Sequence, residues 1–229
     1  MPHHSNNTYC IIPLRKGSRS IKDKNIKKIN GKSLASLCIK TSLKSGIFKK
    51  IIIATDSDAY IKIIKNEFYN NKKLIYFKRS KKNAKNYSPT ELVISEILKN
   101  FKQIDNIFLI QATSPFLNKN DLINAYKIFK KKKLNSLFSS YKKKKFIWYE
   151  KNSKLFALNY NYKKRPMRQS FNYNFFENGA FYIFNKKNFL KYQNRLHGKI
   201  GTYTMPEKRS IDIDEYEDLK LVKESLKKK

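Results

Sequence analysis

The chain has 229 residues with a formal net charge of +34, and hydrophobic residues make up 40% of it. This length predicts one domain with a substantial core, and the apolar content argues against global disorder. The apolar runs are too short to cross a bilayer, the amino-terminal residues lack the apolar core of a secretion signal, and Cys10 and Cys38 lie inside apolar patterns. We therefore expect a cytoplasmic protein with two buried free thiols and no membrane partner.

The positive charge by itself suggests a nucleic-acid-binding module. Only seven of the 51 basic residues are arginine, however, and lysines occur in every segment of the chain. Surfaces that read bases favour arginine, because its guanidinium forms a bidentate fork. We therefore expect no specific nucleic-acid partner, although weak and salt-sensitive binding to polyanions follows from the charge.

Short apolar runs alternate with amphipathic segments along the chain, and they predict strands and helices respectively. The predicted strands cover residues 9–14, 50–54, 74–77, 106–110, 136–141 and 179–184. The predicted helices cover residues 34–43, 58–68, 90–101, 121–129 and 215–226. Strands that alternate with helices favour a mostly parallel sheet with helices on both faces.

The pattern changes over residues 142–176. Two short strands joined by a turn at Asn152 and Ser153 predict a hairpin outside the main sheet. The aromatic residues of this excursion that we expect to be exposed are Phe146, Trp148, Tyr149 and Phe156. Because an apolar excursion needs a partner surface, we predict a two-fold homodimer whose hairpin approaches the partner's site.

A basic loop follows the first predicted strand. Residues 15–25 contain five cations, one glycine and two hydroxyls. Parallel α/β sheets bind ligands beyond the carboxyl ends of their strands. Backbone amides near Gly17 can form an anion-binding concavity, and Arg15 and Lys24 can neutralise a triphosphate. The loop lacks a Walker sequence and a dinucleotide fingerprint, and the alternative is an ordinary charged loop of a lysine-rich chain.

An acidic segment lies near the carboxyl terminus. Five of the 17 acidic residues lie between Asp212 and Asp218. In an extended segment, Asp212 and Asp214 face the same side, and two carboxylates on one face suit Mg²⁺ or Mn²⁺. The alternative is a helix amino terminus capped by Asp214, and both interpretations can hold at once.

Three further segments follow or precede predicted strands. They are residues 111–115 with a Ser-Pro turn, residues 168–169 together with 177–182, and Asp56 at the end of a strand. The alternatives are an ordinary turn, a hairpin turn and a helix cap. The histidines and cysteines form no pattern with zinc spacing.

Taken together, these segments resemble the CMP-sialic acid synthetases, also called acylneuraminate cytidylyltransferases. Residues 11–26 are similar to the nucleotide loop of that family, Ile-Pro-Ala-Arg-x-Gly-Ser-Lys-Gly-x-x-x-Lys-Asn. The other similar segments, in chain order, are residues 31–34, 53–57, 111–115, 168–169 with 178–180, and 210–214. The resemblance covers nearly the whole chain.

The resemblance implies a single cytidylyltransferase domain over residues 1–229, with residues 142–176 as its dimerisation excursion. The implied fold is a three-layer α/β/α, Rossmann-like nucleotide-binding domain. The implied reaction joins CTP to a nine-carbon 2-keto-3-deoxy sugar acid of the sialic, legionaminic or pseudaminic acid type, with release of pyrophosphate. The Lys24-Asn25 pair favours a nine-carbon acid over the eight-carbon octulosonate, whose enzymes normally lack it.

The resemblance also implies roles for individual residues. The expected catalytic residues are Arg15, Lys24 and Asp214, with Asp212 and Asp214 as ligands of Mg²⁺ or Mn²⁺. The expected nucleotide-binding residues are Arg15, Ser18, Arg19, Lys24, Asn25, Arg79 and Thr90. The expected sugar-binding residues are Gln111, Arg168, Gln169, Phe175, Asn178 and Tyr182, where Arg168 supplies a fork for the carboxylate.

Two alternatives remain at this point. A nucleotide-sugar glycosyltransferase, or another nucleotidyltransferase, can use an Asp-x-Asp pair on a similar fold. The position of the pair near the carboxyl terminus and the basic first loop favour a free triphosphate as substrate instead. A basic nucleic-acid-binding module would need its cations gathered on one face with stacking aromatics.

Overall fold

A computed structural model describes residues 7–18, 20–80, 83 and 88–227. The strands are Thr8–Pro13 (β1), Lys28–Ile29 (β2), Lys32–Ser33 (β3), Lys50–Thr55 (β4), Leu74–Lys78 (β5), Asn106–Ile110 (β6), Ser136–Lys143 (β7), Trp148–Lys151 (β8), Lys154–Ala157 (β9), Asn174–Asn185 (β10) and Ile200–Thr204 (β11). The α-helices are Leu34–Ser45 (α1), Asp58–Glu67 (α2), Thr90–Asn100 (α3), Lys119–Lys131 (α4), Lys186–Tyr192 (α5) and Tyr216–Lys227 (α6).

The main sheet has seven strands in the order β11-β7-β10-β6-β1-β4-β5. Neighbouring strands are parallel except at β10, which is antiparallel to both β6 and β7. The predicted mostly parallel sheet is therefore confirmed. The carboxyl ends of β1, β4, β5 and β6 lie along one edge of the sheet, as the position of a ligand site requires.

The side chains of β1 alternate between two hydrophobic clusters. Cys10 and Ile12 pack in the cluster that includes residues of α1, α2 and α4. Tyr9 and Ile11 pack on the other face with residues of α3 and α5. Because successive strand residues point to opposite faces, this alternation places helices on both sides of the sheet. The three-layer α/β/α architecture is thus confirmed.

Two elements of the main sheet region were not predicted. Helix α5 has seven residues, and Phe189 is its buried residue. Strand β11 pairs with β7 at one edge of the sheet, and none of its residues is fully buried. Both elements lack the apolar periodicity from which longer elements are predicted.

The excursion is a hairpin, as predicted, but its limits are narrower. Residues 142 and 143 of β7 pair with Phe175 and Asn174 of β10, so these positions belong to the main sheet. The excursion therefore covers residues 144–173. Its strands β8 and β9 are joined by Asn152 and Ser153, which both have positive φ, as a tight hairpin turn requires.

Both predicted thiols are buried and free. Burial raises the pKa of the Cys38 thiol to about 12 and the pKa of Cys10 well above its ordinary value. These thiols therefore pack as small apolar groups rather than as nucleophiles. Among the helices within the described ranges, none is long and apolar enough to span a membrane.

Candidate functional site

A cleft of about 300 Å³ opens at the carboxyl ends of β1, β5 and β6. It is lined by Pro13, Arg15, Ser18, Lys24, Asn25, Arg79, Ser88, Thr90, Val93, Gln111 and Thr113. All the predicted nucleotide-binding residues line this cleft except Arg19, which lies outside the described residues. Pro13, Ser88 and Val93 also line the cleft, although no motif of the sequence indicates a role for them. Only their positions could have indicated them, because Pro13 lies near the end of a predicted strand and Ser88 and Val93 lie near the start of a predicted helix.

The basic loop after β1 is folded back on itself by two side-chain contacts. The Asn25 side-chain amide donates to the Arg15 carbonyl oxygen at 3.1 Å. The Asp56 carboxylate accepts from the backbone amide of Lys16 at 2.8 Å. Gly17, which follows, has a φ of +84°, a conformation that favours glycine. Asp56 therefore anchors the loop, and Ser57 rather than Asp56 caps helix α2.

Arg79 brings a buried cation to the floor of the cleft. Burial lowers the pKa of its guanidinium and the charge of Arg15 lowers it further, whereas the carboxylates of Asp56 and Glu96 oppose the shift. Within the part of the chain that the structure describes, the Arg79 Nε atom has no hydrogen-bond partner. Helix α3 begins at Thr90 on the same wall, so its positive end adds to the field. The cleft is suited to an anion.

Lys24 connects the cleft to the acidic segment. Its ammonium group lies 3.0 Å from a carboxylate oxygen of Asp214 and donates to the Ile213 carbonyl oxygen at 2.7 Å. The Ser20 hydroxyl also donates to the Asp214 carbonyl oxygen. The Lys24 side chain is 12% exposed, whereas that of Asp214 is 76% exposed. The predicted cationic loop and the predicted aspartate pair thus lie side by side.

Asp212 is the more buried member of the pair. Burial raises the pKa of its carboxyl, and the neighbouring charges of Asp214 and Asp218 raise it further. The hydrogen bond with Thr113 and the charge of Lys24 act in the opposite direction. No described residue donates a hydrogen bond to the buried Oδ1 of Asp212. A buried carboxylate oxygen without a donor, beside a second carboxylate, fits a cation.

Within the described ranges, the aspartate pair is not part of a larger metal cluster. Among the described side chains, no group of three or more His, Cys, Asp or Glu residues is placed to hold a metal ion. Two carboxylates suit Mg²⁺, because this ion usually keeps several bound waters and is also coordinated by phosphate oxygens of the substrate.

The alternative prediction, that the Asp214 side chain caps a helix, is wrong, because Asp218 takes this role. Helix α6 begins at Tyr216, and Asp218 accepts from the backbone amides of Asp214 and Glu215 at 2.9 Å each. Asp218 therefore satisfies the amides at this helix start, and the Asp214 side chain faces Lys24 instead.

Two of the predicted sugar-binding side chains are engaged within the protein. Asn178 is buried, and its side-chain amide donates to the Ser210 hydroxyl at 2.9 Å. Tyr182 is also buried, and its hydroxyl donates to Glu177. Burial raises the pKa of the Tyr182 hydroxyl, and the hydrogen bond with Glu177 adds to the effect. Gln111, in contrast, lines the cleft.

The other predicted sugar-binding residues do not line the cleft of this chain. Arg168 and Gln169 are exposed within the excursion, where the Lys144 ammonium donates to their backbone carbonyl oxygens at 3.3 and 2.7 Å. Phe175 is exposed on β10, opposite Lys142. Any contact of Arg168 or Gln169 with a bound sugar must therefore involve the excursion, whereas Phe175 belongs to the main sheet.

A mostly parallel α/β sheet, with a cationic cleft at its carboxyl edge and two aspartates beside it, defines a nucleotide-handling protein of the Rossmann-like class. The family model described as cytidylyltransferase matches residues 9–228. The chain belongs to the cytidylyltransferase family and is a nucleotidyltransferase.

Characterised relatives show how broadly the chain is similar. It is 30% identical over 223 residues to the pseudaminic acid cytidylyltransferase of Campylobacter jejuni. This alignment covers 93% of this chain and 94% of that protein. It is 31% identical over 209 residues to N-acylneuraminate cytidylyltransferase A of Danio rerio. This alignment covers 90% of this chain and 47% of that protein.

Solved structures share the fold. A CMP-2-keto-3-deoxy-manno-octonic acid synthetase complexed with CTP superposes with a TM-score of 0.70, at 13% identity, over 96% of this chain and 98% of the other. A 4-diphosphocytidyl-2C-methyl-D-erythritol synthase of Anaerococcus prevotii superposes with a TM-score of 0.68, at 16% identity, over 96% of this chain and 98% of the other. At these identities the likeness establishes the fold alone.

Proposed function

We propose that the protein transfers the cytidylyl group of CTP to a nine-carbon 2-keto-3-deoxy sugar acid, giving a CMP-sugar and pyrophosphate. The observation that carries this proposal is the contact of Lys24 with Asp214, which joins a cationic cleft to a pair of carboxylates. The cationic cleft can neutralise a triphosphate, and the two carboxylates can hold the metal ion that accompanies it. Family membership supports the same reaction.

The cations of the cleft hold and align the triphosphate. Arg15 and Lys24 lie on the loop after β1, and Arg79 follows β5, so the three charges approach from the ends of two strands. Nucleotidyl transfer needs charge neutralisation and in-line alignment more than covalent chemistry from the protein. These side chains therefore stabilise charge that shifts toward the leaving pyrophosphate.

Asp212 and Asp214 would hold Mg²⁺ or Mn²⁺. When bound, such an ion polarises the α-phosphate and lowers the pKa of a hydroxyl beside it. Two groups support this assignment: the Asp212 oxygen, to which no residue of the described ranges donates, and the exposed Asp214 carboxylate. Lys24, which lies on the basic loop after β1, holds Asp214 near Asp212 through its contact with the Asp214 carboxylate.

The substrate class is proposed from the relatives and from the first loop. The names of several relatives include pseudaminic acid or N-acylneuraminate, which are nine-carbon acids. Lys24 and Asn25 both line the cleft. By resemblance to the acylneuraminate cytidylyltransferases, this pair favours the nine-carbon class over the octulosonate. Gln111 lines the same cleft and offers an amide to sugar hydroxyls.

The direct test is to incubate the purified protein with each of the four nucleoside triphosphates and a panel of keto-acid sugars. We expect release of pyrophosphate and formation of a CMP-sugar, identified by mass, with CTP and a nine-carbon acid. Preferred turnover of the octulosonate would overturn the substrate class. Transfer from a nucleotide-sugar would favour a glycosyltransferase, and retention on a polyanion at high salt without CTP turnover would favour a nucleic-acid-binding module.

We further propose a two-fold homodimer that forms through the excursion. Aromatic side chains are partly exposed there, and Tyr149 stacks on Phe156 with their ring centroids 5.5 Å apart. On the other side of the hairpin, Trp148 packs against Tyr160 and Tyr162. A layer of rings with exposed faces gains hydrophobic stabilisation when a second copy covers it.

Light scattering at micromolar concentration is expected to give about twice the 27.2 kDa mass of one chain. Tyr149→Asp should shift the mass toward one chain, because it places a charge in the apolar contact. Tyr69→Asp is the matched control, since Tyr69 is 83% exposed at the end of α2, outside the excursion. A single-chain mass for the parent protein, or equal effects of both substitutions, would contradict the proposal.

Arg168 is proposed to reach a sugar carboxylate from the excursion, which in a dimer approaches the partner's cleft. Arg168→Ala is expected to raise the Michaelis constant for the sugar by about 100-fold and to change that for CTP little, because a bound carboxylate loses its counter-charge. Arg165→Ala is the control, since the Arg165 guanidinium lies over the Phe146 ring in the same segment. An unchanged sugar constant in Arg168→Ala would remove this role.

A further inference from the structure

A partly buried ion pair between Arg209 and Asp121 lies just before the segment of the chain that carries the two aspartates. The Arg209 guanidinium contacts both carboxylate oxygens of Asp121, through Nη1 to Oδ2 and through Nη2 to Oδ1 at 2.8 Å. The Asp121 side chain is 2% exposed and that of Arg209 is 26% exposed. The hydrogen bonds with Asp121 also raise the pKa of Arg209. This is the bidentate geometry of a guanidinium, which an ammonium group cannot reproduce.

Both partners make further hydrogen bonds to neighbouring elements of the fold. Arg209 Nη1 also donates to the Phe116 carbonyl oxygen at 3.2 Å, in the loop that follows β6. Asp121 lies in the first turn of α4, where its Oδ2 accepts from the backbone amide of Asn118 at 3.0 Å. Its Oδ1 accepts from the Tyr203 hydroxyl of β11 at 3.2 Å. The pair therefore joins a loop, a helix and a strand to the chain just before the aspartates.

The aspartate segment depends on such contacts because it has no regular structure. A short 3-10 turn ends at Arg209, helix α6 begins at Tyr216, and residues 210–215 between them form neither helix nor strand. Besides the pair, the Ile213 backbone amide donates to the Thr113 carbonyl oxygen at 2.9 Å. Side-chain and isolated backbone contacts, rather than a ladder, therefore fix where the carboxylates lie.

We propose that Arg209 and Asp121 are positioning residues, whose ion pair fixes the segment of Asp212 and Asp214 against the loop after β6. This inference rests on the proposed function, in which the two carboxylates hold the metal ion beside the triphosphate. The charged fork is a stronger restraint than the neutral bonds along the same segment, and it acts together with the ion pair of Lys24 and Asp214. Its loss displaces the carboxylates without removing any group that touches the substrates.

The test compares Arg209→Lys with the parent enzyme. We expect kcat to fall about tenfold and the Michaelis constant for CTP to change less than about twofold, because misplaced groups impair the reaction more than binding. In the protein without metal or nucleotide, hydrogen exchange of the Ile213 amide should become about tenfold faster, because the segment opens more often. Asp121→Asn removes the charge and replaces one acceptor oxygen by an amide donor that faces other donors, so it should give both changes at no smaller size.

Glu207→Gln is the matched control. The substitution removes the ion pair of Glu207 with Lys143. Glu207 belongs to the same 3-10 turn as Arg209, but its ion pair is more exposed. We therefore expect no change in kcat or in hydrogen exchange of the Ile213 amide. Parental exchange at Ile213 in both Arg209→Lys and Asp121→Asn would overturn the positioning role, and so would parental kcat together with faster exchange. The exchange measurement needs no substrate, so failure of the parent to use CTP would refute the proposed function alone.

Discussion

Replacing Lys24 with methionine is expected to lower kcat/KM for CTP by about 100- to 1,000-fold, or ~3 to 4 kcal/mol of transition-state stabilisation. The ammonium group lies in the cleft, contacts the Asp214 carboxylate and is 12% exposed. The substitution removes a preorganised cation from the phosphate site and also frees the acidic segment. Both losses act on the charge that develops as pyrophosphate leaves. Steady-state kinetics with varied CTP would measure the change.

Lys22→Met is the matched control for this experiment. Lys22 is an exposed residue of the same loop, and it is not among the residues that line the cleft. The two variants lose the same formal charge, so any long-range effect of the net charge of +34 is equal in both. We expect Lys22→Met to keep near-parental kinetics. Equal losses in the two variants, or unchanged CTP kinetics in Lys24→Met, would remove Lys24 from the phosphate site.

The parts of the fold that could be predicted from the sequence are those that burial determines. Strands β1, β4 and β6 are continuous apolar runs, because both faces of a central parallel strand are covered by helices. The order of strands and helices then placed the loop after β1 and the turn after β6 at the same edge of the sheet. Topology therefore predicted where the cleft lies, whereas individual residues of its lining, such as Arg79 and Thr90, were implied by the family resemblance.

The ion pair of Asp121 with Arg209 shows what the sequence could not provide. The partners are separated by 88 positions, and a chain with 51 basic residues offers many possible partners for any acid. The same limit applies to Asn178, whose side chain was predicted to face the sugar but is hydrogen-bonded to Ser210. Residue type and spacing predict that a polar group lies near a site. They do not determine whether its hydrogen bonds are made within the protein.

The second large effect concerns the acidic segment. Asp214→Asn is expected to lower turnover by more than about 100-fold, because one of the two carboxylates proposed to hold the metal becomes neutral. The Asp214 side chain is 76% exposed. Loss of its ion pair should therefore change the free energy of unfolding by less than about 1 kcal/mol. Thermal unfolding of the variant would confirm that the protein remains folded while activity is lost.

Glu217→Gln distinguishes a specific metal ligand from a general effect of negative charge. Glu217 is an exposed residue in the first turn of α6, three positions from Asp214, and the substitution removes the same charge. We expect near-parental turnover in this variant, whereas the parent enzyme should lose activity in a chelator and recover it with Mg²⁺ or Mn²⁺. Full activity of the parent in the chelator would exclude the metal role of Asp212 and Asp214. Equal losses in Asp214→Asn and Glu217→Gln would instead assign the effect to the acidic field, since the two positions share that field but only Asp214 contacts Lys24.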